Sequence, residues 1–325
     1  MSADKTSIDV SVVSPIYNEI ENVEMLARKL HEALSAMHRP YEIILVDDGS
    51  SDGSWEKMVE LSKAIPNLRI IRLRRNFGQT AAMSAGFDAA RGEFIVTLDA
   101  DLQNDPSDIP KLIARAEQGF DVVSGWRKDR KDKFLSRRLP SMIANSLISK
   151  ITGVALHDYG CTLKVYHRDV IKHLRLYGEM HRFIPALASW AGASVDEVVV
   201  SHYPRRFGTS KYGISRTIRV ILDLFTVKFL LHYSTGPIQL FGKFASLFAV
   251  PAFLMLLLLA GDRLFGWFDP YLLKRPFWVI TPLMLLAFAV QFVSMGLLAE
   301  MQIRTYHESQ DKPIYVIKET VESQG

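Results

Sequence analysis

EFIVTLDADLQNDP, residues 93–106, sets an apolar, β-branched run against a sudden group of carboxylates. Phe94 to Leu98 have the composition of a buried strand, and Asp99, Asp101 and Asp105 stand at its exit. Alternate residues at a strand end turn the same way, so Asp99 and Asp101 can face one ligand. With the carboxamide oxygen of Gln103 they offer hard oxygen donors suited to Mg2+ or Mn2+. Asp105 before Pro106 has a plainer reading, as the N-cap and first residue of a helix.

Four more runs of the same kind surround this one: DVSVVSPIY, YEIILVDD, LRIIRL and DVVSGW. Between them lie ENVEMLARKLHEALSAM, SWEKMVELSKAI, GQTAAMSAGFDAA and PSDIPKLIARAEQG, with helical periodicity. Strand and helix alternating over residues 8–200 predict an α/β fold, a mostly parallel sheet with helices on both faces. Ligands of such sheets bind at the carboxyl ends of the strands. The first strand is followed by SPIYNE and the second by VDDGSSDGS, which alone reads as a turn with a helix N-cap at Ser51 or Asp52. Neither is a glycine-rich dinucleotide turn and no P-loop occurs, so nicotinamide and P-loop chemistry lose support.

The chain has 325 residues, 48% of them hydrophobic and 23% charged, enough for a full core. Phe244 to Ala260 and Phe277 to Ala299 carry no charge, and each approaches the ~20 residues that cross a hydrocarbon core. They predict a two-helix transmembrane hairpin. The N-terminal MSADKTSIDV has no apolar signal segment, so the expected topology keeps the first domain and, after two crossings, the tail in the cytoplasm. ISRTIRVILDLFTVKFLL, residues 214–231, segregates isoleucine and phenylalanine from Arg216, Arg219 and Asp223 and suits a helix lying on the bilayer surface. The expected division is thus a cytoplasmic α/β domain at 1–210, a juxtamembrane amphipathic helix at 211–235, the transmembrane hairpin at 236–300 and a cytoplasmic tail at 301–325. Cys161 is the single cysteine, which excludes an internal disulfide and a cysteine-rich metal site. A pI near 9.0 would suit nucleic acid, but aromatic stacking motifs are absent, and nucleic acid is not an expected partner.

VVSPIYNEIENV, EIILVDDGSSDGS, RNFGQTAAMSAGFDAARGEFIVTLDADLQNDP and DYGCTLKVY occur in the order and at the distances that resemble family 2 glycosyltransferases of the GT-A fold. The branch they are most similar to is the polyprenyl-phosphate glycosyltransferases, which includes dolichol-phosphate mannose synthases and the bacterial undecaprenyl-phosphate glucosyl and formamido-arabinose transferases. The resemblance implies a role for each matching residue. Pro15, Tyr17 and Glu19 fall in the loop that holds the donor nucleoside, and Asp47 or Asp48 matches the acid that meets base or ribose. Asp99 and Asp101 match the D-x-D motif, where a divalent ion bridges protein and donor diphosphate, and Gln103 matches a further metal ligand. Arg127, Arg137 with Ser141, and Arg206 match positions that hold acceptor and donor phosphates, a task suited to arginine's forked, always-charged donors. Asp158, in HDYGC, stands where the family carries an acid.

The implied activity is metal-dependent, inverting transfer of one sugar from a nucleotide-sugar, a UDP-sugar in this reading, to polyprenyl phosphate at the cytoplasmic leaflet. A GDP-mannose donor and a noncatalytic polyprenyl-phosphate-binding subunit are the alternatives. A processive synthase would carry a Q-x-x-R-W motif, and no tryptophan here follows an arginine. Asp158 would be the natural choice of general base. The acceptor phosphate is already an anion, so Asp158 is expected to orient the acceptor or its arginines instead. Neither the sugar nor the oligomeric state, a homo-oligomer included, is written in one chain.

Overall fold

The computed structural model describes residues 8–128, 139–174, 176, 180–204, 237–266, 276–309 and 313–323. The chain divides into two compact units, residues 1–227 with 313–325, and residues 228–312. The amphipathic segment 214–231, Arg137 and Arg206 lie outside the described residues, as does the side chain of Ser141.

In the first unit, β1 (Val10–Ile16), β2 (Tyr41–Asp47), β3 (Leu68–Leu73) and β4 (Phe94–Thr97) are joined by α1 (Ile20–Ser35), α2 (Ser54–Ala64) and α3 (Gln79–Ala89). β1, β2 and β4 are buried almost throughout because both of their faces are covered, as in parallel sheets, while Arg69 and Arg72 of β3 reach toward solvent. All of β2 is buried. In α1, Val23, Leu26, Ala27, Leu30 and Leu34 recur at helical spacing and are buried, while Glu21 and Arg28 face water.

After β4, the side chain of Asp105 accepts from the Ser107 amide and caps a single 3-10 turn, Pro106–Asp108, as the sequence predicts. The longer helix expected there starts afresh as α4 (Ile109–Ala116), because Pro110 has no amide to give and fits only a first helical turn. The expected cap at Ser51 or Asp52 is displaced: α2 begins at Ser54 after Gly53, and Asp52 accepts from both the amide and the hydroxyl of Ser54.

Next come β5 (Val122–Trp126), α5 (Leu139–Thr152), β6 (Lys164–His167), α6 (Arg168–Lys172), α7 (Ile184–Trp190) and β7 (Val195–Val199). β8 (Ile317–Glu322), which follows the second unit in the chain, completes one eight-stranded sheet of order β7-β5-β6-β4-β1-β2-β3-β8. The pairs β1–β2, β1–β4, β2–β3 and β5–β7 are parallel; β6 runs antiparallel to both its neighbours and β8 antiparallel to β3. β1 therefore lies between β2 and β4, so the loops leaving these three strands emerge side by side.

The described residues of the second unit form a pair of long helices, α8 (Pro237–Phe265) and α9 (Pro276–Ser309). Phe248 meets Phe288 and Phe292 at ring separations of 5.7 and 5.5 Å, and Phe244 stacks on Phe292 at 5.6 Å. Gln239–Phe265 and Pro276–Ala299 are long and apolar enough to cross a membrane, and only 22% and 17% of their most apolar windows are buried. Leu247, Val250 and Phe253 face outward, the reverse of a helix in a soluble core.

One close approach carries the packing of α3 on the sheet. A Cβ built on Gly86 would stand 2.2 Å from Cγ1 of Val13, which is fully buried on β1. Gly86→Ala should therefore destabilise the fold by about 1–3 kcal/mol or more, read as a lowered unfolding midpoint of the detergent-solubilised chain.

Candidate active site

The loops that leave β1 and β2 are zipped together. The Asn18 amide donates to Ser50 Oγ at 2.9 Å and the Ser51 amide returns to Asn18 Oδ1 at 2.9 Å. The Glu19 amide reaches Ser54 Oγ and the Ile20 amide reaches Asp52 Oδ2, each at 3.0 Å. Asn18 adopts the left-handed conformation, φ 51°, that asparagine tolerates. Pro15 lies near the end of β1, Tyr17 is part-exposed just beyond it, and the Glu19 carboxylate accepts from Asn22 Nδ2 at 2.6 Å.

Asp47 and Asp48 are both buried and are used differently. Asp48 spends both oxygens on the loop before α3, accepting from the amides of Phe77 at 2.7 Å and Gly78 at 2.9 Å. Gly49 makes this approach possible: its φ is +72°, and a Cβ there would stand 2.6 Å from the carbonyl carbon of Arg75. Asp47 takes the Ser50 amide on Oδ1 at 3.0 Å, and its Oδ2 has no hydrogen-bond partner, although Arg72 Nε lies 3.5 Å away. Burial pushes both carboxyls up, that of Asp48 to about 6.

One strand over, the D-x-D loop is braced from both sides. Gln79, the first residue of α3, donates from Nε2 to Asp99 Oδ1 at 2.7 Å. Asp101 accepts the Gln103 amide at 3.2 Å, and Leu102 between them holds φ 58°, uncommon for leucine, with its side chain in the core. The Gln103 carbonyl accepts the Tyr203 amide at 2.9 Å, so the chain after β7 packs along this loop. Two carboxylates and a carboxamide oxygen suit a hard divalent cation. Among the described residues, no three His, Cys, Asp or Glu side chains gather closely enough to hold a metal by themselves.

The third cluster gathers beyond β5 and before β6. Asp158 grips Arg127 with both oxygens, at 2.7 Å to Nε and 3.0 Å to Nη2, and also accepts the Gly160 amide at 3.1 Å. Burial works against the charge on Arg127, but the charge and hydrogen bonds of Asp158, together with Cys161 and Asp99, outweigh it and raise the basicity of the guanidinium. Lys164, also buried, donates to the carbonyls of Tyr159 and Cys161 and so holds the loop that carries Asp158. Its burial lowers the ammonium to about 8. His157 pairs with Glu197 and stacks on Trp126, ring centroids 4.1 Å apart.

The fold thus places the loops that leave β1, β2 and β4 side by side at one edge of the sheet and pairs Asp158 with Arg127. Sequence reasoning gave no role to Gln79, Arg72 or Lys164. Gln79 stands inside RNFGQTAA, where a polar side chain opening an otherwise apolar helix was the available signal.

A family model described as glycosyl transferase family 2 matches residues 11–175. The chain belongs to that family. It is a glycosyltransferase, and its sheet and helices form the GT-A fold. It is similar to a dodecaprenyl-phosphate galacturonate synthase of Rhizobium johnstonii, 44% identical over 98% of this chain and 95% of the relative. It is also similar to an undecaprenyl-phosphate 4-deoxy-4-formamido-L-arabinose transferase of Photorhabdus laumondii, 40% identical over 96% of this chain and 94% of the relative. Among solved structures, glucosyl-3-phosphoglycerate synthase of Mycobacterium tuberculosis, in complex with Mn2+, UDP and glucosyl-3-phosphoglycerate, shares the fold. Its TM-score is 0.54 at 15% identity, covering 70% of this chain and 81% of that one.

Asp48 gives a pH test. Between the ordinary carboxyl value near ~3.9 and about 6, the folded transferase keeps a proton that the unfolded chain has released. The Asp48 contribution to stability is therefore complete at low pH and is lost as pH rises through 6. Asp48→Asn does not titrate, so the excess of the parent's unfolding midpoint over the variant's should shrink between about pH 4 and 7. An excess that grows with pH would mean that the Phe77 and Gly78 amides outweigh burial.

Proposed function

We propose that the transferase moves one sugar, with inversion, from a UDP-sugar to polyprenyl phosphate at the cytoplasmic face of a bacterial inner membrane. The observation that carries this reading is the extent of the likeness. Both relatives, whose names specify transfer to a polyprenyl phosphate, align with nearly the whole chain, the two apolar helices included. The outward apolar faces of α8 and α9 support a membrane hairpin. The pairing of β8 with β3 supports two crossings, because the segment after the second helix returns to the sheet that the segment before the first one builds. The relatives' sugars make a galacturonosyl or a formamido-arabinosyl donor the first to try.

In this reading the β1 and β2 loops receive the nucleoside, with Tyr17 exposed at the rim and the buried Asp47 holding the β2 turn through the Ser50 amide. Asp99, Asp101 and Gln103 would hold Mg2+ or Mn2+, which when bound would supply Lewis-acid stabilisation of charge on the leaving diphosphate. Gln79 fixes the rotamer of Asp99. Arg127, with Arg137, Ser141 and Arg206, takes the acceptor phosphate. That phosphate has a second ionisation near ~6, by analogy with phosphorylated side chains, so no residue need remove a proton. Asp158 has both oxygens engaged by Arg127 and Gly160, which supports a positioning role instead of that of a base. Attack opposite the nucleotide gives a β-linked lipid from an α-linked donor.

The purified, detergent-solubilised transferase, supplied with Mn2+, undecaprenyl phosphate and a panel of labelled UDP- and GDP-sugars, should place label in the organic-extractable fraction with one UDP-sugar. Asp101→Asn or EDTA should lower that rate by orders of magnitude, EDTA reversibly. Label confined to water-soluble product would refute the lipid acceptor, and lipid binding with no turnover of any donor would favour a noncatalytic subunit. Separately, Gln79→Leu should weaken Mn2+ binding, followed by electron paramagnetic resonance, by about 10–100-fold, the usual effect of removing a partner that orients a metal ligand.

A further inference from the structure

A row of alternating charge crosses three neighbouring strands. Asp47 closes β2, its register partner on β3 is Arg72, and the register partner of Arg72 on β8 is Glu319. Arg72 Nε lies 3.5 Å from Asp47 Oδ2, and Arg72 Nη1 lies 3.5 Å from Glu319 Oε1. The guanidinium is held from a third direction by the Trp55 ring, 5.2 Å from its centroid. Asp47 is wholly buried, Arg72 is 21% exposed and Glu319 44% exposed, so the row runs from the interior to solvent. Its inner end is the carboxylate whose Oδ2 is without a hydrogen bond and whose Oδ1 holds the Ser50 amide.

We infer that Glu319, on the strand that follows the hydrophobic hairpin, is a positioning residue for the donor nucleoside: by holding Arg72 it sets the direction of Asp47 and the conformation of residues 47–54. This rests on the reading of the β2 loop, which Asp47 holds through the Ser50 amide, as part of the donor site. The tail would then contribute to the donor site without touching the donor. β8 supplies its own control. Glu322 ties the same strand to Arg69 at 2.9 Å and to Arg91 at 2.7 Å, with a similar 48% exposure, and neither of those arginines pairs with Asp47.

The test is nucleotide affinity of the full-length, detergent-solubilised transferase, measured calorimetrically with UDP and with GDP in the presence of Mn2+, together with hydrogen exchange at the Ser50 amide. Glu319→Gln should weaken binding by about 3-fold, within the range of one part-exposed ion pair. Arg72→Leu, which leaves a buried carboxylate unpaired, should weaken it by about 10-fold or more, with Arg72→Lys recovering part of the loss. Glu322→Gln should leave affinity unchanged, and Ser50 should exchange faster in Glu319→Gln but not in Glu322→Gln. The Michaelis constant for undecaprenyl phosphate should stay constant throughout.

Equal effects of Glu319→Gln and Glu322→Gln would overturn the inference, since they would reduce β8 to an edge support. So would unchanged affinity and exchange in Glu319→Gln while Asp47→Asn still weakens binding, an outcome that leaves the donor site itself intact. If the parent binds neither nucleotide, the reading of the site fails, and Ser50 exchange alone decides whether the row transmits.

Discussion

The parallel pairing of β1 with β2 on one side and with β4 on the other determines where the carboxylates that follow these strands stand. Parallel strands release their chains at one edge of the sheet, and three adjacent ones release them at neighbouring points. The pairing is secured by burial on both faces: Val12, Val13, Ile43, Ile44, Leu45 and Val96 are all inaccessible to water. Each such side chain contributes roughly 1.5–3 kcal/mol relative to exposure, so the strand ends are set by the best-packed part of the molecule. The loops beyond them need only short hydrogen bonds among Asn18, Ser50, Asp52 and Ser54 to be held in place.

Charge is buried here at a cost, and the sheet bears it. Asp47, Asp48, Arg127, Asp158 and Lys164 are all withdrawn from water, and each is met by an opposite charge, a backbone amide or a carbonyl. Removing one partner of a buried pair such as Arg127 and Asp158 typically costs 3–5 kcal/mol, because the survivor stays in low dielectric. Loss of either side chain would thus act on folding as well as on chemistry. Fixed dipoles and charges aimed before the substrate arrives are also what allow a site to stabilise developing charge without reorganising.

Much of this was legible in sequence because the signals are local. β1 to β5 announce themselves as apolar β-branched runs, α1 by its 3.6-residue period, and the cap at Asp105 by the proline after it. β6 was hidden because it is four residues long and includes a lysine that is buried only through bonds to the Tyr159 and Cys161 carbonyls, which no composition rule anticipates. β8 reads IKETVE, the polar pattern of an edge strand, and its partner lies far away in the chain. The same distance in sequence hides Gln79 beside Asp99 and Arg72 beside Asp47: each is a contact between different loops or strands, and local periodicity says nothing about such pairs.

β8 also bears on how the chain reaches its native state. Arg72 and Glu319 are separated by 247 positions, and both long apolar helices lie between them. Closing so long a loop costs little more at equilibrium than closing a short one, since the entropy grows only with the logarithm of length. In time the difference is large. During synthesis β3 is made early, and its outer edge, LRIIRL, presents unpaired amides and carbonyls until both helices have been completed and β8 follows. An open apolar edge is a template for pairing with other chains. Arg69 and Arg72, which in the folded chain pair with Glu322 and Glu319, put positive charge on that edge, the kind of feature that disfavours pairing between edges.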